Sequence, residues 1–313
     1  MPRFSYPDIV HAQLCIDPVF QNTPQFECET LGEMLGCRII LKVETVNPIR
    51  SFKGRGAELL THNSKERSLM CASAGNFGQA MAWSCRKRDI ELTVYASIHA
   101  NAFKVSRMKE LGATVIQKGD DFDTSKALAR DVASKKGIRF VEDSFDVDTV
   151  AGAGTIGVEL SSSPFSPDLI LVPLGNGALV NGIAMAVRNV LPNTRIVAVQ
   201  TKNAPAMIES WKTGKTVTHE KIETIADGIG VRIPVDAALK EMKELIHDGM
   251  LVEEETIIRA MQLIRLHAGL MVEPSAAVGL AAMLENRELF AGKTVALILT
   301  GSNLTEQQMM LWF

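Results

Sequence analysis

Several common protein classes are excluded by what the sequence lacks. Its apolar runs, such as Leu169-Ile-Leu-Val-Pro-Leu174, are far too short to cross a bilayer. The N-terminal residues include Arg3, Asp8 and Asp17 and contain no apolar core of signal-peptide length. We therefore expect a cytoplasmic protein that does not associate with membranes.

Patterns typical of metal and disulfide sites are also missing. No His-Glu-x-x-His pair and no Cys-x-x-Cys occurs. An EF-hand loop beginning at Asp120 is excluded, because Ser125 and Asp131 stand where glycine and glutamate are required. The sequence thus predicts no metal site. Five cysteines are expected to be reduced thiols: Cys15, Cys28, Cys37, Cys71 and Cys85.

Charge of neither sign is in large excess. The chain has 33 basic and 36 acidic side chains and a formal net charge of -3. No broad basic surface is therefore expected for nucleic acid. Hydrophobic residues make up 46% and charged residues 22%, as in ordinary globular proteins. A chain of 313 residues can form one large domain or two smaller ones.

Short β-rich runs alternate with longer helical stretches along the chain, which favours an α/β fold of parallel sheet covered by helices. Strands are predicted at Ile39–Glu44, Leu69–Ser73, Leu92–Ala96, Ala113–Ile116, Arg139–Val141, Leu169–Pro173, Arg195–Gln200 and Thr294–Leu299. Helices are predicted at Phe77–Arg88, Phe103–Leu111, Thr124–Lys136, Ala178–Val190, Glu254–His267 and Ser275–Glu285.

A glycine-containing turn follows the strand that ends at Pro173. Its residues, Gly175-Asn-Gly-Ala-Leu179, lead into a helix and present unpaired backbone N–H groups that suit a phosphate. A tight connection without a ligand is the alternative. A dinucleotide site would add an acidic residue at the end of the next strand, where Gln200 stands. This favours a cofactor with one phosphate, although a nucleotide-binding module stays open.

A lysine with small neighbours lies in the segment Asn47-Pro-Ile-Arg-Ser-Phe-Lys53-Gly-Arg-Gly-Ala57. Lys53 on a solvated helix face is the alternative to a functional role. Small residues after it allow a bulky ring to approach the backbone. A lysine that forms a Schiff base must lose its proton, and partial desolvation beside a positive arginine would promote that loss.

Two further turns carry polar side chains at strand ends. Ser73-Ala74-Gly75-Asn76 opens a helix, whose N-terminus suits a carboxylate, while Asn76 can donate to a phenolate oxygen. The alternative is a capped helix start. Thr300 ends the last strand and can hold a ring nitrogen through its hydroxyl group, although an ordinary turn gives the same pattern.

Taken together and in this order, these segments resemble the fold type II pyridoxal 5'-phosphate (PLP) enzymes, the tryptophan synthase β-like group. Within it the chain is most similar to the threonine/serine dehydratase and serine racemase branch. The match covers nearly the whole chain and is most specific at Ser51-Phe-Lys-Gly-Arg-Gly-Ala57.

The resemblance implies roles for individual residues. Lys53 would carry the cofactor and act as the catalytic base and acid. Asn76 would bind the cofactor's 3'-oxygen and Thr300 its pyridine nitrogen. The phosphate would be held by Gly175, Asn176, Gly177, Ala178 and Leu179. The substrate carboxylate would be bound by Ser73, Ala74 and Gly75.

The resemblance also implies the reaction. The expected activity is dehydrative deamination of L-threonine or L-serine to a 2-oxo acid and ammonia, with β-replacement or racemisation as alternatives. Racemases of this branch have serine where this chain has Ala74, which cannot transfer a proton, so elimination is preferred. They also bind a divalent cation near positions 200–206, where Gln200, Pro205 and Ala206 supply no acidic ligand.

The expected architecture follows from the same likeness. A large PLP-binding domain is expected from residues 1–67 and 146–313 and a small domain from 68–145. PLP would lie in the cleft between the two lobes. A homodimer is expected, with a small amino acid as the substrate.

Overall fold

Two separate β-sheets form the framework of the computed structural model, which describes residues 1–313. The strands are β1 (Gln25–Glu27), β2 (Arg38–Val43), β3 (Ser68–Ala72), β4 (Glu91–Ala96), β5 (Thr114–Gln117), β6 (Arg139–Val141), β7 (Leu169–Pro173), β8 (Arg195–Thr201), β9 (Asp248–Val252) and β10 (Thr294–Leu299).

One sheet has six strands in the order β1-β2-β10-β7-β8-β9, and the other has four in the order β5-β4-β3-β6. All neighbouring strands are parallel except the edge pair β1 and β2. The four-stranded sheet is built from one continuous stretch, 68–141, inserted between strands of the larger sheet.

Helices cover both sheets, as the apolar faces of parallel strands require. They are α1 (Tyr6–Cys15), α2 (Glu29–Leu35), α3 (Lys53–Asn63), α4 (Asn76–Lys87), α5 (Ala102–Glu110), α6 (Phe122–Lys136), α7 (Val147–Ser161), α8 (Ala178–Val190), α9 (Ala206–Thr213), α10 (Asp236–Leu245), α11 (Glu254–Ala268), α12 (Pro274–Glu285), α13 (Arg287–Phe290) and α14 (Glu306–Trp312). None of them is long and apolar enough to cross a membrane.

The predicted elements agree with the structure. Each of the eight predicted strands is present with ends within one residue, and each of the six predicted helices with ends within two. The α/β class of helix-covered parallel sheet is confirmed. Among the elements not predicted, α3 and α7 matter most, because both adjoin the site described below.

Helices α7 and α8 pack closely because small residues lie at their contact. A Cβ at Gly182 would come within 2.3 Å of the Val150 carbonyl oxygen, so a larger residue would push the helices apart. Helix α8 starts at the glycine turn, and this contact fixes its direction. The close contact between α7 and α8 therefore sets the direction of the N-terminus of α8.

A fully buried ion cluster anchors α3 to the core. Arg55 bonds to Glu44 (Nε–Oε2, 2.8 Å) and to Glu159 (Nη1–Oε1, 2.6 Å), and Lys42 also bonds to Glu159 (Nζ–Oε2, 2.5 Å). Burial alone would raise the pKa of Glu159, but Arg55 and Lys42 outweigh it and hold that pKa below its ordinary value. The cluster fixes α3 two residues after Lys53.

Candidate active site

A cavity of about 600 Å³ is lined by residues from both sheet regions. This volume is typical of a site for a small organic ligand. The predicted site residues all line it: Lys53, Ser73, Ala74, Gly75, Asn76, Gly175, Asn176, Gly177, Ala178, Leu179 and Thr300. The structure therefore brings together segments that lie up to 247 positions apart, from Lys53 to Thr300.

The glycine turn before α8 presents backbone donors to this cavity. The N–H groups of Gly175, Asn176, Gly177 and Leu179 have no acceptor within the protein. Gly177 has a φ of 99°, and a Cβ there would lie 2.8 Å from the Cβ of Ala238. Only glycine fits this backbone without strain, so the turn is a preformed cup for an anion.

The start of α4 forms a second set of donors. The Ser73 hydroxyl group accepts from the N–H groups of Gly75 (3.1 Å) and Gly78 (2.9 Å), which fixes the turn. The N–H groups of Ala74, Asn76 and Phe77 have no protein acceptor. Together with the positive end of the helix dipole, they suit a carboxylate group.

Lys53 is the first residue of α3, and its Nζ lies 2.6 Å from Oδ2 of Asp143 and 4.7 Å from the Phe52 ring centroid. The expectation of a positive arginine beside this amine is wrong. Arg55 points into the core, where Glu44 and Glu159 neutralise it. A carboxylate, not a cation, is the charged neighbour of Lys53.

Asn76 and Thr300 flank a buried carboxylate that the sequence did not indicate as a site residue. Asn76 Nδ2 donates to both oxygens of Glu273 (3.1 and 3.0 Å), and the Asn303 N–H donates to Oε1 (2.6 Å). Burial raises the pKa of Glu273 above its ordinary value. The only signal for it in the sequence was Glu273-Pro274, with proline at the start of α12.

Two ion pairs close one side of the cavity and join its two halves. Lys104 of α5 bonds to Asp227 (2.6 Å), and Arg232 bonds to Asp123 of α6 (2.8 Å). Burial alone would lower the pKa of Lys104. The carboxylates of Asp227 and Glu273 outweigh this effect and raise that pKa above its ordinary value. No local pattern marks these residues, because each partner is more than 100 positions away.

A family model for pyridoxal-phosphate dependent enzymes matches residues 16–301. The chain belongs to this family. The enzyme's cofactor is therefore PLP, as the resemblance implied.

The enzyme is similar to characterised relatives over almost its whole length. It is 34% identical to the L-threonine ammonia-lyase of Thermotoga maritima, over 95% of this chain and 75% of the relative. It is 32% identical to the catabolic L-threonine dehydratase of Staphylococcus aureus, over 95% of this chain and 88% of the relative. Maize serine racemase superposes with a TM-score of 0.92 at 26% identity, over 98% of this chain and 96% of that one.

The cavity residues fit the cofactor. The donor cup at Gly175–Leu179 suits its phosphate group, and a side chain at Gly177 would collide with Ala238 and distort the turn. Ser275 lines the same cavity, and its buried hydroxyl group has no partner within the protein. A polar ligand is the ordinary reason for such an unpaired group.

Proposed function

We propose that the enzyme eliminates water from L-threonine or L-serine and releases a 2-oxo acid and ammonia. The observation that carries this proposal is the position of Lys53. Its amine enters the same cavity as the donor cup before α8 and the donor-lined start of α4. The names of the Thermotoga and Staphylococcus relatives support threonine as a substrate.

The cofactor would be held by groups from both sheet regions. Lys53 would bind it covalently, and Asn76 would donate to its 3'-oxygen. The hydroxyl group of Thr300 would face the ring nitrogen. Its phosphate would be bound by the N–H groups of Gly175, Asn176, Gly177 and Leu179. The N–H group of Ala178, also predicted as a donor, instead donates to the Ser144 hydroxyl group (3.1 Å).

When bound, PLP supplies an electron sink that stabilises negative charge at the substrate Cα. Lys53 removes the proton from Cα and holds it on Nζ. A hydroxyl group at the ring nitrogen, unlike a carboxylate, does not favour ring protonation, which suits loss of a β-substituent. The donors around Ser73, Ala74 and Gly75 bind the substrate carboxylate and fix Cα relative to Lys53.

The lobes, assembly and location are also proposed. The large domain comprises residues 1–67 and 146–313 and the small domain 68–145, which is supported by the continuous four-stranded sheet. Exposed Leu266, Met310 and Leu311 on α11 and α14 support a homodimer. The five free thiols support a reducing, cytoplasmic location.

The direct test is turnover by the purified enzyme loaded with PLP. We expect 2-oxo acid and ammonia from L-threonine or L-serine, measured by a coupled dehydrogenase assay. Chiral chromatography of the remaining substrate reports racemisation in the same samples. Rapid formation of D-serine with little oxo acid would instead establish the racemase alternative, which the likeness to maize serine racemase favours.

Ala74 provides a sharper test of elimination against racemisation. Racemisation needs a proton donor on the face of the substrate opposite Lys53, and the methyl group of Ala74 has no proton to give. We expect Ala74→Ser to raise racemisation relative to oxo-acid release by about tenfold, below the full 10²–10⁴ of a positioned acid–base group. Ala74→Gly is the control, and an equal rise there would exclude a proton-transfer role for the serine.

Gly177 tests the phosphate cup. We expect Gly177→Asp to weaken PLP binding by at least about tenfold, or 1.4 kcal/mol, since its Cβ would collide with Ala238 and displace the turn, and its carboxylate adds a like charge to the cup. Gly137→Asp is the matched control, because Gly137 is also left-handed (φ 64°) but has no atom within 4 Å of the added Cβ. Equal PLP affinity of both variants in a titration would locate the phosphate elsewhere.

A further inference from the structure

Asp143 contacts the amine of Lys53, and the proposed function gives this carboxylate no role. It follows β6 on the loop that leads to α7, ninety positions from Lys53 along the chain, and lines the same cavity. The side chains of Lys53 and Asp143 are 18% and 13% exposed, so solvent screens their 2.6 Å ion pair only partly. A surface pair formed by chance would be far more exposed.

The backbone next to Asp143 is held in a conformation that non-glycine residues rarely adopt. Ser144 is buried and has a φ of 68°, in the left-handed region that strains a non-glycine backbone. Its N–H donates to Thr149 Oγ1 (3.0 Å), and its carbonyl oxygen accepts from Arg3 (2.7 Å). Its hydroxyl group accepts from the Ala178 N–H (3.1 Å). Three segments therefore fix the backbone beside Asp143, and one of them is the phosphate cup.

Of the five other acidic residues that line the cavity, Glu220 is exposed and the remaining four are bonded to groups other than Lys53. Asp227 pairs with Lys104, and Asp123 pairs with Arg232. Glu273 accepts from Asn76 and Asn303. Asp121 also pairs with Arg232 (3.3 Å). Asp143 is bonded to Lys53 itself, so a proton on Nζ has a direct acceptor.

We propose that Asp143 receives the proton that Lys53 takes from the substrate and delivers it to the departing β-hydroxyl group. This step rests on the proposed dehydratase function. The Cα–H bond breaks and its proton moves to Nζ of Lys53. That proton passes to Oδ2 of Asp143 and then to the hydroxyl oxygen as the Cβ–O bond breaks. The electron pair left at Cα forms the Cα–Cβ double bond, water leaves, and Lys53 and Asp143 return to their starting states.

A leaving group that needs no proton separates this relay from a structural role. β-Chloro-L-alanine loses chloride, so only the step at Lys53 is required. We expect Asp143→Asn to lower kcat for L-serine or L-threonine by about 10²-fold, within the range for an acid–base group. The kcat for β-chloro-L-alanine should change less than about threefold, about 0.65 kcal/mol. Asp143→Glu, which keeps the acid, should recover part of the L-serine activity.

The controls distinguish the possible failures. Asp131→Asn removes a surface carboxylate that pairs with Lys135 on α6. This variant should keep the wild-type kcat for both substrates. If Asp143→Asn lowered kcat equally for both substrates, the relay would be overturned, because Asp143 would then only position Lys53. A wild-type enzyme that eliminates chloride but never water would refute the dehydratase proposal itself.

The ion pair can also be tested without turnover. In cofactor-free protein at neutral pH, Asp143→Asn should raise acetylation of Lys53 by acetic anhydride several-fold, because it releases Nζ from its 2.6 Å contact with the carboxylate. Peptide mass spectrometry measures the modified fraction, with Lys87 as an internal reference. Unchanged labelling of Lys53 would show that Asp143 does not engage Nζ and would overturn the proposal.

Discussion

Lys53→Ala is expected to abolish elimination while the fold survives. The variant loses both the covalent attachment of the cofactor and the base at Cα, and the base alone is worth about 10²–10⁴ in rate. We therefore expect kcat to fall by at least about three orders of magnitude. The visible absorbance of lysine-bound PLP should disappear as well. Turnover and an absorbance spectrum of the purified variant measure the two effects.

The fold should tolerate this change, because the Lys53 side chain contacts the cavity and contributes little to the core. Far-UV circular dichroism should be unchanged from wild type. Lys136→Ala, on the exposed face of α6, is the control and should retain activity and the visible band. A Lys53→Ala enzyme that kept the band after dialysis would show that another amine carries the cofactor.

The candidate site was predictable where its chemistry is local. A strand, a glycine turn and a helix start are neighbours in sequence, so Gly175–Leu179 and Ser73–Asn76 could be recognised from residue order alone. Parallel strands place such turns at one edge of their sheet. The same physics explains why the main strands were predicted to within one residue, since their buried runs are nearly all apolar.

The parts that escaped prediction depend on contacts distant in sequence. Helix α3 was not predicted, because Gly54 and Gly56 lower helix propensity and the buried Arg55 resembles a surface residue. Its stability comes from Glu44 and Glu159 instead. The neighbour of Lys53 escaped prediction for the same reason. Asp143 lies ninety positions from Lys53, beside the strained Ser144, and no local sequence pattern indicates that the two side chains meet.

Arg55→Met is expected to destabilise the fold strongly, although it lies outside the cavity. The guanidinium group is fully buried, and its loss leaves Glu44 and Glu159 with Lys42 as their one remaining cation in the cluster. Removing one partner of a buried ion pair costs about 3–5 kcal/mol, since an uncompensated charge stays in the core. Urea denaturation followed by circular dichroism measures this loss. Arg38→Met, which breaks an exposed pair with Glu27, is the matched control and should cost about 0–1 kcal/mol.

The cost of Arg55→Met should depend on pH in a defined direction. The folded-state pKa of Glu159 lies below its ordinary value of 4.5, so its ionised form stabilises the wild type above that pH. This stabilisation is lost as pH falls from 4.5 through the lower folded-state pKa. The variant lacks the arginine that lowers this pKa, so the difference in unfolding free energy between wild type and variant should narrow below pH 4.5. A difference that stayed constant as the pH fell below 4.5, through the range in which the stabilisation from Glu159 is lost, would mean that lost packing, and not lost charge pairing, accounts for the destabilisation. In that case α3 would be held by its apolar contacts, and Lys53 would not depend on the ion cluster for its position.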